Sequence, residues 1–463
     1  MVASAHGFKS KRALELHRRP GSGGTGKWER TIRRANSAQT PFVNVLDYGA
    51  IGDNHTDCTK AFQAALNYVQ TNRKGGIVYA PSGMYVFEGP LQIPDGVTLQ
   101  GSYDKVPSHD GGRELDDGTV LVPTFGRGDT NPESYFISVA MNAAVTGLVI
   151  FHKEQLKLGL PVPYPWAIVL RQNNAAVADV ELLNAWNGIN ATLAGRHYIA
   201  RVQGQPVNIG IFVDQTYDIG RIEDVHFNPW FSPAPAYMKQ QLTHGRAFVF
   251  GRSDWEYVFN TFAFGYAIGY HFIQTPTGAM NGNFLGLGAD LAINASVRVD
   301  AAQPAGLLFT NGEFTAFENK QWLPKTQVNY SSQVVIGPKN QGAVAFIDTS
   351  FWGPSSSVAR IEGDSITSFS NCQFVEWSEE NGQTGLPAID AKSGAKLIAT
   401  SNVFHQAKLA ISLDPSVSQA IIQGNMFQST KAEALSLPPD VLKNPEQYAV
   451  LGNSFTVKQT RTD

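Results

Sequence analysis

The chain has 463 residues, 43% apolar and 16% charged, a globular composition in which no stretch approaches the roughly 20 apolar residues of a membrane span. Thirty-six Lys and Arg stand against 39 Asp and Glu, yet nine of the bases and two of the acids fall in residues 1–40, so the rest, 27 against 37, carries a net −10. An acidic body repels nucleic-acid phosphate and strongly anionic polymers, which argues against a nucleic-acid partner and favours neutral or weakly charged ones.

Residues 1–40 mix basic clusters with a Gly/Ser run and read as a flexible basic arm. Inside it, Gly21–Lys27 has phosphate-loop spacing, but Trp28 replaces the magnesium-binding Ser or Thr and no hydrophobic strand precedes it, so a Gly-rich linker is expected. Met1 is followed by a mixed polar segment and not by an apolar signal core. Residues 42–46 suit a short strand and residues 47–53 a turn. Thr56 or Asp57 is then placed to cap a helix carrying Phe62, Ala65, Leu66 and Val69 at helical spacing. Short strands follow at 77–81, 84–87, 91–93 and 97–99 between Gly or Pro turns, and the helix is expected to plug the open end of the stack they begin.

Beyond Phe136 the chain repeats a loose phrase: an apolar pair, a turn residue, and a Phe that closes it. Examples are Asp224 to Phe227, Asn281 to Phe284, Asn311 to Phe314, Asp348 to Phe351, Asn371 to Phe374, Asn402 to Phe404, Asn425 to Phe427 and Asn453 to Phe455. From Phe284 onward the closing Phe recurs at intervals of 23 to 37 residues, and the 44 Gly supply many turns. A period of roughly 20–40 residues built from strands and Asn-rich turns specifies a solenoid, an all-β parallel β-helix, and not a helical array. One domain over residues 41–456 with a tail at 457–463 follows. Cys58 and Cys372 do not indicate a disulfide framework. Four Asn-x-Ser/Thr triplets begin at Asn54, Asn190, Asn294 and Asn329, and matter only in a eukaryotic secretory pathway.

The run from Val43 to Gly101 holds Asp47-Tyr48-Gly49-Ala50, Gly52-Asp53, Thr56-Asp57, the helix from Ala61 to Leu66, Ala80-Pro81-Ser82-Gly83-Met84-Tyr85 and Val97-Thr98-Leu99-Gln100-Gly101. It resembles the cap and first coils of the pectate-lyase-like superfamily, of the rhamnogalacturonase and epimerase type. The resemblance implies a right-handed parallel β-helix with an N-terminal capping helix, and a polysaccharide or oligosaccharide as partner. It does not imply one reaction, because that superfamily holds hydrolases, lyases, epimerases and binding proteins. The Asn-Thr-Asp and Gly-His-Gly motifs of polygalacturonases are missing from the sequence.

Side chains alternate along a strand, so an inward Phe sends its neighbours to solvent. This puts His226 and Asn228, Asn283 and Leu285, Glu313 and Thr315, Ser350 and Trp352, and Gln373 and Val375 outside, as a ladder with steps of about 5 Å. Glu313 is the only carboxylate in that ladder. An acid beside an aromatic platform is what glycan cleavage requires, a proton donor for the leaving oxygen and a surface on which a pyranose stacks. Candidates for a second carboxylate are Asp214, Asp218, Asp254 and Glu256, the last two expected to share a face and flank Trp255. Asp224 occupies a turn position that Asn fills elsewhere, and Asp290 ranks behind the others.

Substrate binding is assigned to His226, Trp230, Trp255, Tyr257, Arg252 and Trp352. Scattered His and unpaired Cys give no metal-ligand spacing, so no metal or other cofactor is expected. The reading is a polysaccharide-degrading enzyme, first a glycoside hydrolase using two carboxylates. One alternative is a lyase that abstracts a proton beside a uronate carboxyl, with Arg221, Arg246 or Arg252 and Tyr257 or His226. The other is a non-catalytic carbohydrate-binding β-helix. Neither nucleic acid nor membrane is an expected partner. The chain is expected to be a monomer or homotrimer and to work outside the cell.

Overall fold

The structure, a computed structural model, describes residues 42–109, 115, 117–317, 331–378, 385–439 and 441–456. The chain divides into two units, Met1–Pro41 and Phe42–Asp463. The basic arm with its Gly21–Lys27 motif, Asn329 and the tail at 457–463 lie outside the described residues.

From Phe42 the strands stack in parallel as a β-helix, with three strands in each regular coil. One coil runs through Glu256–Phe259, Phe262–Phe264 and Ile268–Phe272, the next through Gly282–Leu285, Gly288–Asp290 and Ala295–Val299, and the next through Leu307–Thr310, Glu313–Phe314 and Ser332–Ile336. First and second strands belong to one long sheet and third strands to another. The expected fold class is met.

The bend between first and second strands is a single left-handed residue. Asp224, Asn260, Gly286, Asn311, Asp348, Asn371, Ser401, Gly424 and Gly452 occupy it with φ between +48° and +68°. Gly, Asn and Asp reach that region at least cost. Their side chains also stack, Asn260 Nδ2 donating to Asp224 Oδ1 at 2.6 Å. Asp224 is therefore the turn residue its place in the repeat suggested.

Inside, the rings form two rows where the sequence reading had one. Phe314, Phe351, Phe374, Phe404, Phe427 and Phe455 stack along the second strands, with centroids 4.4 to 5.9 Å apart. Phe284, Phe309, Phe346 and Phe369 stack along the first strands at 4.7 to 5.3 Å. The strand spacing of about 4.8 Å is itself a ring-stacking distance, so each coil adds a ring to each row. Phe284 thus belongs to the first-strand row. Asn283 and Leu285, expected beside Glu313, lie in the rows of Tyr257 and Phe259.

Towards the C-terminus the turn asparagines Asn402, Asn425 and Asn453 line up inside the helix. Asn402 N donates to Asn425 Oδ1 and Asn425 N to Asn453 Oδ1, each at 2.9 Å. Their amide nitrogens donate to the carbonyls of Phe369, Ala399 and Ile422.

The N-terminal helix α1, Thr59–Tyr68, turns Phe62, Ala65 and Leu66 fully inward, and Val69 follows in a wider turn. Phe62 meets Tyr85 and Phe87 edge-on at 5.1 and 5.0 Å, so the helix does plug the stack. The N-cap is Cys58 and neither of the two expected caps, although Asp57 just before it takes the Thr59 N–H on Oδ1 at 3.0 Å.

A second helix, α2 at Pro235–His244, was not foreseen, although Pro235 at its first turn is a start signal. Its Met238 and Leu242 pack on Leu291 and Ile293. Val86, Val120, Val122, Val149, Leu183, Val207, Phe231 and Tyr237 form a separate apolar cluster, with Tyr103, Val106 and Phe151 against it. Loops thereby roof the outer face of the long sheet over its early coils.

Candidate functional site

Strand register defines one outward row through Glu181, Gln203, His226, Phe262, Gly288, Glu313, Ser350 and Gln373. Glu313 is therefore not its only carboxylate. Glu181 is fully buried under the roof, accepting the His109 backbone N–H at 2.8 Å and pairing with the His109 ring. Gln203 is pinned there too, Nε2 donating to Val106 O at 3.3 Å.

The row opens at His226, whose ring lies 4.8 Å from that of Trp230 and 5.0 Å from that of Phe262. Burial holds its pKa below the ordinary imidazole value.

Beyond Phe262 the face dips into a cleft of about 300 Å³ whose lining includes Asn260, Gly288, Asp290, Asn311, Glu313 and Trp352. Gly288 keeps the floor low, since a Cβ there would stand 2.7 Å from the Phe262 ring. Glu313 is exposed on the rim, Oε1 accepting a 2.8 Å hydrogen bond from Trp352 Nε1. Trp352 is 39% exposed, so its ring faces the cleft and not the core.

Asp290 completes the pair. Its Oδ1 accepts from Thr315 Oγ1 at 2.7 Å, and that hydroxyl receives the Leu291 N–H at 3.2 Å. Thr315 is buried, against expectation, because it stands beneath this carboxylate. Asp290 lies two residues past Gly288, the register partner of Glu313. Strand geometry then sets the two acidic residues diagonally, with their backbones roughly 8 Å apart.

The other expected acids are placed differently. Asp254 and Glu256 do not share a face: Glu256 is fully buried, bonded to His197 Nε2 at 2.9 Å and Ser253 Oγ at 2.6 Å. Trp255, left-handed at φ +59°, breaks the alternation between them. Glu256 therefore cannot meet a solvent-borne substrate. Asp214 is almost as buried, taking the Arg252 N–H at 2.7 Å and the Thr275 hydroxyl at 3.0 Å, and so ties turns of neighbouring coils together. Asp218 pairs with Arg196. Asp254 is held by Arg252 at 2.9 Å and by Gln303 at 2.7 Å.

The binding candidates also divide. His226, Trp230 and Trp352 lie along the open row with Glu313, whereas Arg252 and Trp255 line another cleft with Asp218 and Asp254. Tyr257 sits in the first-strand row beside Arg221 and Asn283. Among the described residues no three His, Cys, Asp or Glu side chains gather as a metal site, and no helix is long and apolar enough to cross a membrane.

Comparison with known proteins follows the same lines. Residues 42–124, which include the Val43–Gly101 run that carried the resemblance, match the family model described as rhamnogalacturonase A/epimerase, pectate lyase-like. No curated protein matches the chain. The pre-mature gene product 12 of bacteriophage phi29 superposes with a TM-score of 0.59 at 13% identity, over 84% of this chain and 52% of its own. DFA-IIIase from Arthrobacter chlorophenolicus A6, solved in complex with GF2, gives 0.50 at 11% identity over 89% and 99%. The catalytic unit of a GH87 alpha-1,3-glucanase from Streptomyces thermodiastaticus strain HF3-3 gives 0.49 at 11% identity over 91% and 70%. At these identities the superpositions on the phi29 protein and on DFA-IIIase establish the fold alone, a parallel β-helix.

Proposed function

We propose that the chain is a polysaccharide-degrading enzyme, a glycoside hydrolase whose two working carboxylates are Glu313 and Asp290. The observation that carries this is their shared setting. Both line one open cleft beside an exposed indole, and each is held by a neutral donor, a Trp N–H and a Thr hydroxyl. A carboxyl oriented without a cation can pass between protonated and ionised forms during a reaction. Asp218 and Asp254 are instead each paired with an arginine.

In the proposed reaction a sugar ring rests on Trp352, Glu313 protonates the departing glycosidic oxygen, and Asp290 draws a proton from the water that attacks the anomeric carbon. The proposed partner is a neutral or weakly charged polysaccharide or oligosaccharide, met outside the cell. The test is a screen against β-glucans, fructans, pectins and alginates, read by new reducing ends and by ultraviolet absorbance. Reducing ends without absorbance, lost in Glu313→Gln and in Asp290→Asn, support the hydrolase. Absorbance that rises with the reducing ends indicates an unsaturated uronate and a lyase instead.

A further inference from the structure

A second cleft, of about 440 Å³, opens at the start of the first strands and is lined by Tyr217, Asp218, Arg252, Asp254, Trp255 and Gln303 among others. It spans some of the same coils as the Glu313 cleft, which lies beyond the bend, at the far end of those strands.

Its backbone is unusual. Two places ahead of the register row Thr98, Ala144, Ala176, Tyr198, Arg221, Tyr257, Asn283 and Leu308 the backbone is left-handed in every one of these coils except that of Asn281. Gly96, Asn142, Asn174 and Gly306 fill it with φ of +71°, +53°, +59° and +87°. Those residue types favour the left-handed region. In three consecutive coils the position is held instead by Arg196, Ile219 and Trp255, at +54°, +33° and +59°. A bulky residue held there is strained, and such strain gathers at ligand clamps.

The strain presents side chains to solvent. Trp255 is 60% exposed and Tyr217 56%, in a fold that buries most of its rings. The Arg252 guanidinium lies 5.7 Å from the Tyr217 ring centroid and bonds Asp254 Oδ2 at 2.9 Å, while Gln303 holds Asp254 Oδ1 at 2.7 Å. Arg196 pairs with Asp218. Two cations balance two carboxylates, so the array has no net charge with which to attract an anion. It offers fixed donors and acceptors beside flat aromatic faces, the chemistry that recognises an uncharged polyol ring.

We propose that this cleft is a non-catalytic binding site for neutral glycan chains, which holds polymer beside the Glu313 cleft. The inference rests on the carbohydrate reading of the protein but not on hydrolysis. First strands of four residues separate the clefts by roughly 13 Å, so a single sugar cannot engage both and a longer chain can.

The test uses native gels containing laminarin, inulin or polygalacturonate and the full chain in a Glu313→Gln background, where binding is read without turnover. The fold-safe variant is Trp255→Asn, a residue already used at Asn142 and Asn174 in the same row; Tyr217→Ala is the second. At least one neutral polymer is expected to retard the parent, with at least a tenfold weaker retardation in Trp255→Asn and an unchanged melting temperature. In an otherwise unaltered chain, Trp255→Asn should leave turnover of the shortest cleavable oligosaccharide as it was. Equal retardation of parent and variant, retardation by polygalacturonate alone, or no retardation overturns the proposal. If Trp255-dependent retardation occurs while no polymer is cleaved, the hydrolase reading fails and this one stands.

Discussion

Trp352 Nε1 donates to Glu313 Oε1 at 2.8 Å across adjacent coils, so the indole that could carry a sugar also aims the carboxyl at it. Removing either acid, as Glu313→Gln or Asp290→Asn, is expected to lower kcat roughly 10²–10⁴-fold with little change in melting temperature. Trp352→Phe keeps a ring but loses the N–H, and should reduce kcat with a smaller change in KM. With Glu313 protonating the leaving oxygen and Asp290 activating a water, the released sugar should show inverted anomeric configuration by NMR.

The roof over Glu181 and Gln203 closes one end of the row that Glu313 occupies. A chain lying along this groove is stopped near Trp230, and cleavage should begin from a chain end. A time course on a sized polymer is expected to show one small product from the first minutes, with slow loss of viscosity. An early ladder of intermediate lengths would rule this arrangement out.

The His197–Glu256 pair predicts a pH-dependent stability. Burial alone would depress the His197 pKa, but the charge and hydrogen bond of Glu256 outweigh it and raise the value. A raised folded pKa means that the stabilisation is complete below the unfolded value of about 6.5 and fades as pH climbs through the folded one. Denaturation series should show Glu256→Gln about 3–5 kcal/mol less stable at the acid end of that range, with the gap narrowing as the pH rises.

Asp300 should act in the opposite range. Burial pushes its carboxyl up, but hydrogen bonds from His271 and Arg298 prevail and hold its pKa at about 2. Its contribution is present above the ordinary carboxyl pKa and is lost as pH falls through about 2. Melting curves of Asp300→Asn should therefore show a shallower acid limb than those of the parent.

Within the core, Phe346 stacks on Phe309 and Phe369 and meets Phe314 and Phe351 edge-on, bridging the two ring rows. Phe346→Ala should cost about 3–5 kcal/mol in chemical denaturation, because neighbours fixed in parallel strands cannot collapse into the space.

Much of the fold was legible because its cues are local. The Val43–Gly101 motifs, the helical spacing of Phe62 to Val69 and the recurrent turn-to-Phe phrase each sit within a few residues. Glu313 was visible because Phe314 marks its coil. Asp290 and Glu181 were harder to see because Ala289 and Leu182 stand at the inward positions beside them, leaving no ring to mark the row. The burial of Glu256 depends on His197, 59 residues earlier, and nothing near Trp255 announces a left-handed backbone. Two ring rows looked like one because Asn precedes Phe in both.

The ladder of Asn402, Asn425 and Asn453 ties the last coils to one another. The backbone N–H groups of Asn402 and Asn425 find their acceptors in the coil that follows, while the side-chain amides of Asn425 and Asn453 reach back to carbonyls of the coil before, so each coil relies on its neighbour. Shortening the chain ahead of Asn453 would leave the Asn425 N–H without its acceptor and loosen the amide that in turn serves Asn402. The C-terminal coils are therefore less an appendix to be trimmed than a keystone, and damage there would travel back towards the middle of the molecule.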